Sequence, residues 1–204
     1  MYLSRIKLDL MRRTTGIALA DRSYMHKAVE SCFKGDRQRP VWEIDKDGQS
    51  RHLVIISKDK PDLTSLVEQY GERGTEPEVI AYEQYISRIE DGDAVRFHAT
   101  VAPITQVGGH EVPLNLNRTK NYPLCAKDWF KRKMSEAGAD VVQLFPRGTE
   151  KTRFSHGGRS MPITLMTFEG YARVKDKDSF TTMLLSGAGR KKAYGAGLVM
   201  AYPV

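Results

Sequence analysis

Cysteine is scarce in this chain, and acid is scarce in one half of it. Cys32 and Cys125 are the only two cysteines among 204 residues. They stand too far apart for a disulfide framework or a paired-cysteine zinc site, and are expected to be ordinary buried or half-buried thiols. No run approaches the ~18 apolar residues of a membrane span. Charges occupy the N-terminal MYLSRIKLDL where a signal peptide carries its apolar region, so the expectation is a cytoplasmic protein with no membrane partner. The sequence lacks H-E-x-x-H and the Walker phosphate loop, and the basic half is poor in the clustered carboxylates of a two-metal nuclease. No metal and no nucleotide cofactor is expected.

What is present is positive charge, unevenly placed. Residues 1–102 hold 16 Lys+Arg against 17 Asp+Glu, and residues 103–204 hold 16 against 8. The formal charge of +7 therefore comes from the second half. A polyanion such as an RNA backbone is the natural partner, because neutralised phosphates release counterions.

Periodicity gives the same element order twice. Ile6, Leu8 and Leu10 alternate with polar residues as in a strand, and a helix follows, capped by Asp21 or Ser23, with Met25, Ala28, Val29, Cys32 and Phe33 on one face and Gly35 ending it. Residues 41–46 and 51–57 flank Asp47-Gly48, a hairpin signal. A short helix near Pro61-Asp62 and a strand from Val79 to Tyr85 complete βαββαβ. The second half repeats this order. It has a strand from Ala94 to Ala102, a helix from Leu124 to Ala137, a hairpin of 141–155 with 160–174, a helix from Asp178, and a strand from Tyr194 to Tyr202. The expected fold is α+β, two tandem ferredoxin-like (RRM-like) βαββαβ domains, at 1–90 and 93–204. The RRM fingerprint is missing, its nearest match being Lys192-Ala193-Tyr194-Gly195, so base stacking on the sheet face is not expected.

Two segments carry candidate chemistry. Between the last helix and strand runs Gly187-Ala188-Gly189-Arg190-Lys191-Lys192-Ala193-Tyr194-Gly195-Ala196-Gly197. Its glycines (187, 189, 195 and 197) are expected to let the backbone approach phosphate while Arg190, Lys191 and Lys192 face outward. His26, early in the first long helix, has an ordinary pKa of ~6.5 and so suits proton transfer near neutrality. Tyr24 precedes it, and Lys27 and Lys34 are further candidate RNA contacts. Arg147, Lys151, Arg153 and Arg159 gather around the second hairpin, where long cations on a β-ribbon suit either a nucleic-acid groove or an edge hairpin kept soluble by charge.

The segments MYLSRIKL, SYMHKAVESCF, TKNYPL, FEGYARVKDKDSF and GAGRKKAYGAGLVMAYPV resemble the CRISPR repeat-RNA endoribonucleases, specifically the Cascade-subunit type of the I-E systems. The resemblance runs the length of the chain. It implies a protein that grips a hairpin in the repeat RNA and cuts once at the 3′ base of the stem, without metal. The ribose 2′-OH attacks, leaving a 2′,3′-cyclic phosphate and a 5′-OH. It also implies that the protein stays as a subunit of the RNA-guided Cascade surveillance complex. By the same resemblance His26 matches the general acid or base and Tyr24 a helper tyrosine. Lys151, Arg153 and Arg159 match a basic hairpin at the foot of the stem, and Lys120 a second basic element. Two departures stand out. The family's Tyr-x-x-His is here Tyr-x-His, so on a regular helix Tyr24 and His26 lie about 200° apart and converge only if Tyr24 belongs to the preceding turn. The family's Gly-Cys-Gly is Gly195-Ala196-Gly197. The alternative is a non-catalytic RNA-binding assembly subunit of the same fold.

Overall fold

A computed structural model describes residues 1–34, 38–119 and 124–204. Gly35 and Lys120, both singled out above, lie outside the described residues. The first half contains β1 (Tyr2–Lys7), α1 (Arg13–Ala20), α2 (Arg22–Glu30), β2 (Val41–Asp47), β3 (Ser50–Ser57), α3 (Thr64–Tyr70), β4 (Glu78–Ile80) and α4 (Glu83–Ile86). The second contains β5 (Ala94–Val101), β6 (Ile104–Val107), β7 (His110–Pro113), α5 (Ala126–Glu136), β8 (Ala139–His156), β9 (Arg159–Val174), α6 (Lys177–Ser186) and β10 (Leu198–Pro203). The two four-stranded antiparallel sheets run β2-β3-β1-β4 and β10-β5-β9-β8. Numbered within each half, both read 4-1-3-2, the strand order of the ferredoxin-like fold, so the tandem α+β architecture is present in both halves.

The sequence of β3 explains how the halves join. Leu53-Val54-Ile55-Ile56 is apolar without alternation, the mark of a strand covered on both faces. Leu53 and Ile55 pack with Met25, Val29 and Leu66 beneath the sheet's own helices. Val54 and Ile56 belong instead to the large core of the second half, with Phe97, Phe130 and Phe168. Tyr82 pins the same seam. Its hydroxyl donates to the Ala201 carbonyl and accepts from the Ala201 N–H, each at 2.7 Å.

Several expected elements differ. β1 stops at Lys7, because Leu8 makes only an isolated bridge to Gly71 and the Asp9 carboxylate accepts from the Met11 N–H and the Arg12 side chain, turning the chain. The helix α1 then appears where none was expected. Its RTTGIALA sequence has poor helix formers, but Thr15 and Ala18 give it a small buried face. The expected strand at 79–85 is only three residues long, because the buried Tyr82 begins a helical turn. The two-stranded β6–β7 ribbon was not anticipated. The last strand begins at Leu198 rather than Tyr194, because Gly195 and Gly197 take φ of +80° and +91°, outside the strand region.

The second hairpin is longer than its sheet. β5 pairs with β9 only as far as Val101 opposite Met166, whereas β8 and β9 stay paired to His156 opposite Arg159. The end of the hairpin is thus a two-stranded arm. A register shift between Pro146 and Gly148 lies just before the arm, and proline's missing N–H is tolerated there.

Candidate RNA-processing site

The arm reaches back to the first domain and docks on the start of α2. Asp21 caps that helix, its carboxylate accepting from the Ser23 N–H at 2.9 Å and from the Ser155 N–H at 3.2 Å. Ser23 Oγ in turn donates to the Ser155 carbonyl at 2.9 Å and accepts from its N–H at 2.7 Å. Arg22, only 1% exposed, donates to Glu150 of β8 at 2.6 Å, and Lys46 reaches the other oxygen of that carboxylate at 2.9 Å. The N-terminus of α2 and the basic arm are therefore one assembly. Along the arm, Glu150, Thr152 and Phe154 turn inward while Lys151 and Arg153 are exposed, as is Arg159 on the facing strand. The basic hairpin presents its cations to solvent.

His26 lies one turn into α2 and is partly buried. Its Nε2 is 3.5 Å from Glu30 Oε2, an i,i+4 pair. Its ring also meets Tyr194 edge to face, at 5.9 Å between centroids. Tyr194 stacks on Phe154 of the arm at 3.9 Å. Helix α2, the glycine-rich segment and the arm thus converge on one imidazole. Beside it opens a cleft of about 890 Å³, lined by His26, Glu30, Lys34 and Arg39 from the first domain and by Lys192 and Ala193 from the second.

Tyr24 is not part of this convergence. It falls inside α2, two residues from His26 and half exposed, so the two side chains leave the helix in different directions. Among the described residues, the tyrosine ring that touches His26 is Tyr194. Lys27 is exposed on the helix, and Lys34 borders the cleft, 3.5 Å from Asp62.

The glycine-rich segment also differs from expectation. Its glycines face protein rather than solvent. A Cβ on Gly195 would come within 2.9 Å of the Trp42 ring, and one on Gly189 within 2.7 Å of the Trp129 ring. Gly187, the C-cap of α6, is pressed against Val41 and the Gly197 carbonyl, and Gly197 against the Ala188 carbonyl, while the Ala188 N–H donates to the Gly197 carbonyl at 2.7 Å. These residues seat the loop between the two domains. The cations do not all face outward either. Glu111 of β7 holds Arg190 at 3.0 Å and Lys191 at 2.8 Å, and these two partners keep its pKa below the ordinary glutamate value. Lys192 faces the cleft, where burial lowers its pKa.

Away from the cleft, Glu43, Asp45 and His98 bring their ligand-type atoms within 4.8 Å of one another. His98 Nε2 is 3.0 Å from the fully buried Glu43, and Nδ1 is 3.5 Å from Glu169. Burial alone would lower the His98 pKa, but Glu43, with Asp45 and Glu169 adding, pushes it up to about 9. The group is an imidazolium clamp between β2 of one sheet and β5 and β9 of the other, and a metal would first have to displace its proton. A histidine raised above its unfolded value stabilises fully below pH ~6.5 and loses that contribution as pH rises through the folded pKa. The expected result is a melting temperature that falls between about pH 6.5 and pH 9 in the wild type. In His98→Gln that part of the fall is absent, as a thermal melt series in pH will show.

Cys32 and Cys125 are both free and buried, and burial raises the Cys32 thiol to about 11. Among the described residues no helix is long and apolar enough to cross a membrane.

Fold and site together define a tandem ferredoxin-like protein with a histidine-centred, cation-bordered cleft between its domains. The CRISPR-associated protein family model matches residues 1–203, and the chain belongs to that family. A search of curated proteins finds no match. Among solved structures, the chain is similar to Thermus thermophilus Cse3 bound to an RNA representing a pre-cleavage complex. The identity is 21% over 99% of this chain and 98% of that one, with a TM-score of 0.78. It is similar to the CRISPR-associated protein Cas6e of Escherichia coli K-12 at 19% identity, over all of both chains, with a TM-score of 0.68. A chain of a CRISPR RNA-guided surveillance complex matches over its full length at 18% identity and a TM-score of 0.69. At these identities the likeness is one of fold.

Proposed function

We propose that this protein is a metal-independent endoribonuclease that binds the hairpin of a CRISPR repeat RNA and cuts precursor CRISPR RNA at the 3′ base of the stem. It then remains as a subunit of a Cascade surveillance complex. The observation that carries the reading is the convergence on His26, where a proton-transferring imidazole, a basic arm and a cation-bordered cleft meet. The family membership and the likeness to Cse3 bound to RNA support it.

The chemistry asks for little else. The nucleophile, the ribose 2′-OH, belongs to the substrate, so the protein orients it, moves a proton and stabilises the charge of the phosphorane. His26 exchanges the proton as the 2′-oxygen attacks and the 5′-oxygen leaves. Lys192 and Lys34 border the cleft and offset the developing negative charge. Lys151, Arg153 and Arg159 hold the backbone at the foot of the stem. Arg190 and Lys191 engage RNA only when a phosphate replaces the Glu111 carboxylate between them. Incubation with the host's repeat RNA separates this reading from a binding-only subunit. One cut at the 3′ side of the stem supports it, and tight binding of RNA that stays intact contradicts it.

A further inference from the structure

Among the described residues, the His26 ring is met from two sides. Along its own helix Glu30 approaches Nε2, and from across the domain seam Tyr194 meets the ring with the two planes at 68°. Tyr194 is held in turn. It stacks on Phe154 with the planes 21° apart, and Phe154 is buried in a small cluster with Ala102, Ile163, Leu165 and Ala196. Lys191 Nζ lies over the other partner of that stack, 5.1 Å from the Phe154 centroid. The backbone that presents Tyr194 is equally constrained. Its N–H donates to the Lys191 carbonyl at 2.9 Å, and Lys191 itself adopts φ of +63°, a left-handed conformation that side chains rarely take. On the other side Gly195 is pressed against Trp42.

We infer that Tyr194 is the positioning residue for His26: its ring, fixed by the stack on Phe154, sets the plane of the imidazole and ties it to the docked arm. The inference rests on the reading of His26 as the proton-transferring group. An imidazole on a helix surface has several rotamers, and only one aligns a nitrogen with a bound 2′-OH. Edge-to-face aromatic contacts favour one ring plane over others. A misplacement of about 1 Å costs on the order of 10²-fold in rate. The contact is made by the ring, so the phenolic hydroxyl is dispensable.

Single-turnover cleavage of a repeat hairpin at saturating protein tests this, with RNA affinity and melting temperature measured alongside. Tyr194→Phe is expected to cleave within about threefold of wild type. Tyr194→Leu is expected to lose about 10- to 100-fold in rate, with the affinity for RNA nearly unchanged. Should Tyr194→Leu fail to fold, Phe154→Leu keeps Tyr194, removes its stacking partner and is read the same way. A leucine variant that cleaves at the wild-type rate overturns the inference. So does a loss confined to affinity, or a phenylalanine variant as slow as the leucine one. His26→Ala, run in parallel, separates the two readings. If it cleaves normally, the role of His26 falls; if it is inactive while Tyr194→Leu is normal, only the role of Tyr194 falls.

Discussion

His26→Ala is expected to slow single-turnover cleavage of a repeat hairpin by about 10²- to 10⁴-fold, the usual worth of a positioned general acid or base, while the RNA affinity stays within about twofold. The separation of rate from affinity follows from where the residue sits. His26 occupies a helix face beside the cleft, and its side chain is 23% exposed. Its removal takes from the partly exposed Glu30 its i,i+4 neighbour, and alanine is the best helix former at that position. The arm cations expected to grip the foot of the stem belong to other elements, Lys151 and Arg153 to β8 and Arg159 to β9. They are untouched by the change. Rate and affinity falling together would instead make His26 a binding residue.

Glu150→Ala is expected to have the largest effect on stability. Glu150 is the only acceptor found for Arg22, whose Nε and Nη1 meet no acceptor among the described residues. Burial lowers the Arg22 pKa while Glu150 raises it. For Glu150 itself burial pushes the pKa up, but Arg22 and Lys46 hold it below the ordinary glutamate value. Removing the carboxylate leaves a buried guanidinium uncompensated, a cost of about 3–5 kcal/mol. For a chain of this size the melting temperature falls on the order of 10 °C. Arg22→Met, which removes the buried charge and keeps an apolar stem, is expected to cost clearly less. A thermal melt compares the two, and equal losses would refute the account. Because the pair joins α2 to the arm, Glu150→Ala is also expected to undock the arm from the helix that carries His26.

The order of strands and helices and the placement of charge were readable from the residues because they depend on local patterns. Residues 41–46 and 51–57 about Asp47-Gly48 marked a hairpin, and the acid-poor second half a basic surface. Asp21 was readable as a cap because a carboxylate before an amphipathic run has a local partner in Ser23. What was not readable depends on contacts across more than a hundred residues. Arg22 and Glu150 are 128 positions apart, and no spacing rule joins them. Tyr194 stood inside a segment already singled out, but whether its ring faced solvent, a base or His26 was settled by the docking of the arm. The glycines of that segment misled for the same reason. A glycine that admits a ligand and one that admits Trp42 look alike in sequence. The Tyr-x-His spacing did carry its own warning, since two residues apart on a helix cannot share a face.

The most direct test of the account is the cleavage of a repeat hairpin in EDTA, comparing all-ribose RNA with RNA carrying one 2′-deoxy nucleotide at the scissile position. The expected result is a single cut of the all-ribose RNA at an unchanged rate, leaving a 2′,3′-cyclic phosphate and a 5′-OH, and tight binding without cleavage of the deoxy substrate. Cleavage of the deoxy substrate, or loss of all cleavage in EDTA, would contradict it.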